Sequence, residues 1–361
     1  MGQPTSTDTF ETVLERGRSQ LSVAKEEYSE IEGTNSVPDR VVEALVGLEQ
    51  ELDELDQTLE VTEADIELAE ETVQRVAILS RILSALGERQ RTVVEADVNR
   101  LDYHLSGIAE LVREHNLEQD VEPDVTDLER RLSMLQTLVD SDRHEQVESN
   151  DRVSPGKLDT SIRQLDGWLE TRIPNSARAT RYLDIGTKLL DDIHHSLSEL
   201  GEKNDERTAH ATDLRSIKDK RTDVEELLES GLEDRAANTA RVALEGCLEL
   251  HLLTASARAE QLVATELAST VEEYELIVDS DISQCVERGH AETLLAEVTD
   301  AIESEVEQST GQRLRQLLLE HDGSVMRTAA ATDFDIPTIM DHLTQLHADG
   351  QLADVTVDFN G

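Results

Sequence analysis

A heptad repeat of apolar residues places the strongest constraint on the fold of this 361-residue chain. From Val41 to Leu83 successive apolar residues lie alternately four and three positions apart. This spacing is typical of a helix that buries one stripe against other helices. The predicted seam consists of Val41, Leu45, Leu48, Leu52, Leu55, Leu59, Ile66, Val73 and Leu83. A single helix over 38–86 would be about 73 Å long. Another helix is therefore expected to cover its stripe.

The heptad phase changes around Gly87, and a second apolar stripe runs from Val94 to Val112 after an extra step of four residues. The change has two interpretations. Either one continuous helix contains a stutter, or a helix ends at Gly87 and a capping box of Thr92 and Glu95 starts the next one. Because no cluster of loop-forming residues surrounds Gly87, the continuous helix is favoured.

A further heptad region spans residues 190–228 and is interrupted by charged residues at 202–207. This interruption fits the tip of an antiparallel helical hairpin, and it fits a solvated stretch of one long helix equally well. From residue 236 the sequence becomes rich in alanine and less charged, which is typical of closely packed helices. Residues 291–307 have the apolar spacing of one more amphipathic helix.

The charge of the chain is extreme, with 79 acidic residues against 33 basic ones and a formal net charge of −46. High net charge with 2% aromatic residues is also typical of disorder, but the helical periodicity favours a folded protein. The basic residues are 27 Arg and 6 Lys, and such acidity with few lysines resembles the proteins of haloarchaea. The resemblance implies a halophilic protein. At about 1 M salt the Debye length falls to about 3 Å, which screens the self-repulsion.

The C-terminal segment 311–360 resembles a winged helix-turn-helix domain. Residues 312–321 have helical spacing, a turn and a short Ala-rich segment follow, and 336–349 again has helical spacing. Apolar and polar residues then alternate over 351–359, as in a strand. The resemblance implies a recognition-type helix and a β wing. The predicted fold class is therefore all-α, with long coiled-coil or helical-hairpin segments and a small C-terminal winged-helix (α+β) module.

That resemblance also implies a surface on this module that contacts DNA or a partner protein. The residues expected on this surface are Arg313, Arg315, Arg327, Thr338, Asp341, His342 and Gln345. DNA binding usually depends on Lys and Arg side chains that neutralise phosphates. The recognition-type helix has neither Lys nor Arg on its outward face, so its local chemistry slightly favours docking of a protein. DNA and protein both remain possible partners of this surface.

These patterns divide the chain into six predicted segments. They are a disordered tail (1–9), an N-terminal coiled-coil region (10–140), a linker (141–157), a second coiled-coil region (158–230), a packed helical region (231–310) and the winged-helix module (311–361).

Patterns that would indicate catalysis or metal binding are weak. Gly186-Thr187-Lys188 lacks the upstream glycine of a phosphate-binding loop. Cys247 with His251 and Cys285 with His290 form a nominal zinc set, but their spacing is not that of a zinc finger. Aliphatic runs reach about four residues, too few for a transmembrane helix. We therefore expect no enzyme activity, no metal, no cofactor, no small-molecule substrate and no membrane association.

The sequence thus predicts a cytoplasmic, non-enzymatic coiled-coil scaffold or regulator, associated with chromosome organisation or transcription. Its seams would bind a second copy or another helical protein, and the C-terminal module would engage DNA or a protein. The alternative is a purely structural interaction partner, for example of a chromosome-structure ATPase, with no direct nucleic-acid binding.

Overall fold

The computed structural model describes residues 6–31, 37–57, 61–121, 125–141, 147, 153–302, 325, 339–340 and 343–344. Over these residues the fold is all-α. The helices are α1 (Ser6–Ile31), α2 (Asp39–Asp56), α3 (Glu63–Glu114), α4 (Val125–Asp140), α5 (Pro155–Leu169), α6 (Asn175–Glu199), α7 (Asp205–Glu229), α8 (Glu233–Tyr274), α9 (Ile282–Arg288) and α10, described over 291–302. No helix within these ranges is both long and apolar enough to cross a membrane.

Two hydrophobic cores organise the helices, and α3 and α8 belong to both. The first core combines α1, α2, α9 and α10 with residues 69–86 of α3 and 263–271 of α8. The second core combines α4, α5, α6 and α7 with residues 94–112 of α3 and 236–257 of α8. Each long helix therefore runs without interruption from one core into the other.

Ion pairs between the two long helices show in which direction they run past each other. Arg81 of α3 lies 2.7 Å from Glu273 of α8, and Arg89 lies 3.0 Å from Glu260. Because higher residue numbers in α3 meet lower numbers in α8, the two helices are antiparallel.

The helices α6 and α8 run parallel, with α7 antiparallel to both. Asn175 of α6 hydrogen bonds to Asp234 of α8, and Glu199 pairs with Arg258 at the other end. The intervening helix α7 returns along α6, where Arg221 donates to the carbonyl oxygen of Leu183 at 2.7 Å. The three helices form an up-down-up arrangement in which α6 and α8 pack against α3.

The predicted single helix over 38–86 is wrong, since α2 ends at Asp56 and α3 begins at Glu63. A capping box starts α3: the Thr62 hydroxyl accepts from the Asp65 amide at 3.3 Å, and Asp65 accepts from the Thr62 amide at 2.8 Å. These bonds satisfy amide groups that a helix start leaves without intrahelical partners. The continuous helix through Gly87 is confirmed, because α3 extends to Glu114.

The charged interruption at 202–207 is the tip of a helical hairpin. The helix α6 ends at Glu199, and α7 begins at Asp205 with Asn204 as its N-cap. The Asn204 side chain accepts from the amide of Glu206 at 3.0 Å. It also donates to Gln261 of α8 at 3.0 Å, which holds the hairpin tip against the long helix.

The α+β part of the predicted fold class is wrong, because the described residues contain no β-strand and form an all-α protein. Of the segment 311–361 the structure describes Val325, Ile339, Met340, Leu343 and Thr344, all helical. The predicted wing at 351–359 lies outside the described residues. Its alternating pattern was weak evidence, since one short strand is stable only when paired in a sheet.

Candidate functional site

The predicted seam lies at the interface of α1, α2 and α3. In α2 and α3 its buried members are Val41, Leu45, Leu48, Leu52, Leu55, Val73 and Leu83. Ile66 is partly buried beside the same core, and Leu59 lies outside the described residues. Gly17 lets α1 approach closely, because a Cβ at this position would lie 2.8 Å from Val73 and 3.0 Å from Leu52. The seam is therefore covered by helices of the same chain.

The residues predicted to bind DNA or a partner through the C-terminal module are not placed by the structure. Arg313, Arg315, Arg327, Thr338, Asp341, His342 and Gln345 all lie outside the described residues.

The nominal zinc set does not come together. Cys247 is buried in the second core, whereas Cys285 is buried in the first. Burial raises the pKa of the Cys247 thiol to about 11, which suits a packed thiol rather than a metal ligand. In the described ranges no group of three or more His, Cys, Asp or Glu side chains could hold a metal ion.

The structure instead brings ionisable side chains together in a half-open cavity between α3, α5 and α8. Its volume is about 110 Å³. One wall is apolar and is formed by Leu244 and Leu248 of α8. The ionisable residues that line the cavity are His104 of α3, Arg163, Asp166 and Glu170 of α5, and Arg241 and Glu245 of α8. We refer to this site as the His104 cavity.

His104 lines the cavity and is 3% exposed. Neither of its ring nitrogens has a hydrogen-bond partner within the described part of the chain. Burial lowers the pKa of His104 to about 4, and the positive charges of Arg163 and Arg100 act in the same direction, while Asp159 opposes them. At neutral pH the ring is therefore uncharged, with one nitrogen that donates and one that accepts.

Asp166 also lines the cavity and accepts a hydrogen bond from the hydroxyl of Tyr182 in α6. The hydroxyl donates to Oδ1 of Asp166 at 2.5 Å. Burial raises the pKa of Asp166, and the bond from Tyr182 partly opposes this rise. The positive charges of Arg178 and Arg241 oppose the rise as well.

The two arginines that line the cavity are already paired with carboxylates. Arg163 donates through Nε to Asp159 at 2.7 Å, and Arg241 donates to Glu170 at 3.2 Å. Asp159 also accepts from Arg100 at 2.9 Å, so α3 and α5 are joined by charge-assisted hydrogen bonds.

Two carboxylates of the cavity lack such a partner. Among the described residues neither Asp166 nor Glu245 takes part in an ion pair within 4.0 Å. Arginines nevertheless act on both carboxylates at longer range. The charges of Arg178 and Arg241 oppose the rise in the pKa of Asp166. The pKa of Arg163 is raised chiefly by its bond to Asp159 and also by the charges of Glu245 and Asp166. The cavity is therefore lined by charges of both signs, and the ring nitrogens of His104 are closed off from solvent.

Sequence reasoning missed this site because its residues are far apart in the chain. The one available signal was His104 itself, which interrupts the buried positions Leu101, Leu105 and Ile108 on α3. A polar residue among the buried positions of a helix needs a partner or a role. Its neighbours on α5 and α8 follow from the way those helices pack. No family model, curated protein or solved structure matches this chain.

Proposed function

We propose that this chain is a non-enzymatic helical scaffold that binds other proteins. The observation that carries the proposal is the pair of long helices shared by both cores. With 52 residues in α3 and 42 in α8, these helices would be about 78 Å and about 63 Å long. Because each is packed in both cores, the two ends of the molecule are held at a fixed spacing, as a scaffold requires.

The charge of the chain supports a protein partner rather than direct contact with nucleic acid. With a net charge of −46, direct contact with a phosphate backbone would place carboxylates against phosphates at close range, where salt screens them least. A partner with basic surfaces is favoured for the same reason. The proposed setting is chromosome organisation or transcription, where the chain would reach nucleic acid through its partner. The seam of α2 and α3 is covered by α1, so the partner would bind an outer surface of the bundle.

The experiment uses the full chain in molar KCl. Partners are purified from the native host with and without nuclease treatment, and the complex is then reconstituted from purified components. Fluorescence anisotropy of labelled duplex DNA at the same salt provides the second measurement. A stoichiometric complex that survives nuclease, together with no DNA binding by the isolated chain, supports the proposal. Saturable binding of duplex DNA by the isolated chain contradicts it.

A hydrodynamic measurement tests the shared long helices independently of any partner. If α3 and α8 hold both cores in one rigid body, the full chain has a single elongated shape in solution. Small-angle scattering in molar KCl would then give a maximum dimension at or above the length of α3. A maximum dimension well below about 78 Å would contradict the continuous helix.

A further inference from the structure

The loop that joins α8 to α9, residues 275–281, presents one large apolar side chain to solvent. We refer to it as the Ile277 loop. Ile277 is 90% exposed, more than any other large apolar side chain in the described ranges. Its neighbours Leu276 and Val278 are partly buried against the first core. The two neighbouring side chains therefore hold the loop on the bundle, and Ile277 is left in solvent between them.

Hydrogen bonds fix both ends of the Ile277 loop. At the first end Glu275 has a left-handed backbone with φ of 54°, and the amide of Leu276 donates to the carbonyl oxygen of Val271 at 3.1 Å. At the second end Glu297 of α10 accepts from the amide of Ser280 at 3.0 Å and from its hydroxyl at 2.5 Å. A loop that is already ordered loses less conformational entropy when a partner binds it.

Carboxylates lie on both sides of Ile277 in the loop. Glu275 and Asp279 are two positions away from it, so their Cα atoms lie within about 7 Å of the Cα of Ile277. Both residues are exposed, and neither has an ion-pair partner within 4.0 Å in the part of the chain that the structure describes. Glu273, by contrast, pairs with Arg81 of α3 at 2.7 Å. The Ile277 loop thus combines an exposed apolar side chain with two carboxylates that are open to a cationic partner.

We propose that the Ile277 loop inserts Ile277 into an apolar pocket, rimmed by Lys or Arg side chains, on a partner protein. This inference rests on the proposed scaffold function and names the surface that binds the partner and the chemistry of that partner. Burial of Ile277 supplies the apolar contact, and the basic rim pairs with Glu275 and Asp279. An ordered apolar side chain at the centre of a polar rim is the usual anatomy of a strong contact point in an interface.

The carboxylates of the loop disfavour two other occupants. A second copy of this chain would bring a net charge of −46 towards side chains of the same sign. A membrane surface with anionic lipids would repel them as well. At the contact distances of an interface salt screens such repulsion least. A protein pocket with a basic rim meets neither obstacle.

The first test uses a chemical stand-in for the pocket. An α-cyclodextrin that carries a ring of amino groups is an apolar cavity with a cationic rim, and the unmodified and carboxylated forms are its neutral and anionic controls. Each is titrated at constant molar KCl into the full-length protein labelled with ¹³C at the δ1 methyl groups of isoleucine. Ile277→Val removes that methyl group and so identifies the Ile277 signal.

We expect the Ile277 signal to shift saturably with the amino form. Its dissociation constant should be about two- to fivefold lower than that of the neutral form, as for exposed charge pairs, and the carboxylated form should bind most weakly. Glu275→Gln should reduce the preference for the amino form. Glu249→Gln removes the same charge from an exposed position on α8 outside the loop, and it should leave the preference unchanged.

The second test uses the nuclease-resistant complex reconstituted from purified components. Ile277→Ser should raise the dissociation constant of this complex about tenfold or more, because an isoleucine is no longer buried in the interface. The control is Leu253→Ser, which replaces a side chain on α8 that is 44% exposed and should leave the constant unchanged. Circular dichroism verifies that both variants are folded.

The proposal is supported if the Ile277 signal saturates, the three cyclodextrins rank as stated and Ile277→Ser weakens the complex while Leu253→Ser does not. It is overturned if the signal does not saturate, if the carboxylated form binds as well as the amino form, or if Ile277→Ser and wild type bind the partner equally. Failure of the wild-type chain to form any complex would overturn the scaffold function and this inference with it. A complex that Ile277→Ser leaves intact would overturn this inference alone.

Discussion

Replacing His104 by leucine should make the free energy of unfolding less dependent on pH. In the folded chain the pKa of His104 is lowered to about 4 from an ordinary value of 6.5, chiefly by burial. The unfolded chain therefore binds the proton more readily than the folded chain. The stability that the neutral ring contributes is fully present above about pH 6.5 and is lost as the pH falls towards about 4.

The size of this effect follows from the shift. Each pKa unit corresponds to about 1.4 kcal/mol, and about 1.5 units separate the ordinary pKa from pH 5. Between about pH 7 and pH 5 the free energy of unfolding of the wild-type chain should therefore fall by about 2 kcal/mol because of His104. The leucine variant should not show this loss. At neutral pH the variant should be at least as stable as wild type, because it removes two buried atoms that lack hydrogen-bond partners.

The measurement is chemical denaturation at constant salt, repeated at several pH values for both proteins. The difference between the two curves isolates His104, because every other titrating group is common to both, including His251, whose pKa burial also lowers. The control is His195→Leu, since the His195 side chain is 65% exposed. Parallel pH profiles for wild type and His104→Leu would refute the argument, because they would show that the ring is solvated or protonated in the folded chain.

Three further predictions concern the long helices and the charge. On α3, Gly107→Ala should lower stability by about 1–3 kcal/mol, because its Cβ would collide with the buried Ile185 side chain. Gly87→Ala on the same helix should instead raise stability by up to about 1 kcal/mol, because the nearest neighbour of its Cβ lies 4.0 Å away. Thermal melts of the two variants would show the difference. Thr62→Ala should cost about 1 kcal/mol by removing the hydroxyl that caps α3, and Thr62→Ser should not. The denaturation midpoint should rise as KCl increases towards molar concentration, and an unchanged midpoint would contradict a stability limited by self-repulsion.

Much of the helical layout could be predicted from apolar spacing. The stripe from Val41 to Leu55 and the stripe over 94–112 are buried where the heptads place them. The break between α2 and α3 was missed because Thr62 occupies a position that continues the stripe, and its role as a cap depends on the hydrogen bonds with Asp65. Periodicity alone cannot separate a polar seam residue from a cap.

The choice between a hairpin and a long helix at 202–207 could not be made from the sequence. Asn204 decides it by capping α7 and by contacting Gln261, which lies 57 positions further along the chain. A contact of this kind depends on how far α8 extends past the hairpin tip. Local spacing contains no information about that distance.

The His104 cavity could not be predicted from local spacing either. His104, Asp166 and Glu245 belong to three helices and lie 62 and 79 positions apart along the chain. Their presence around one cavity depends on the register of α3 against α5 and α8. The ion pair of Asp159 with Arg100 joins α5 to α3 and contributes to that register. A shift of one helical turn would change which side chains line the cavity, so the site exists only as a consequence of the packing.

The composition of α8 explains how one helix can serve both cores. Small side chains let α3, α6 and α7 approach it from several sides, and the buried alanines include Ala236, Ala237, Ala240, Ala243, Ala257, Ala259 and Ala264. Gly246 adds a close contact, because a Cβ there would lie 3.2 Å from Ile217 of α7. In the sequence this alanine-rich stretch indicated a separate packed region. Since the same helix extends from the second core into the first, it is the element that joins the two cores, and the spacing between them depends on its continuity.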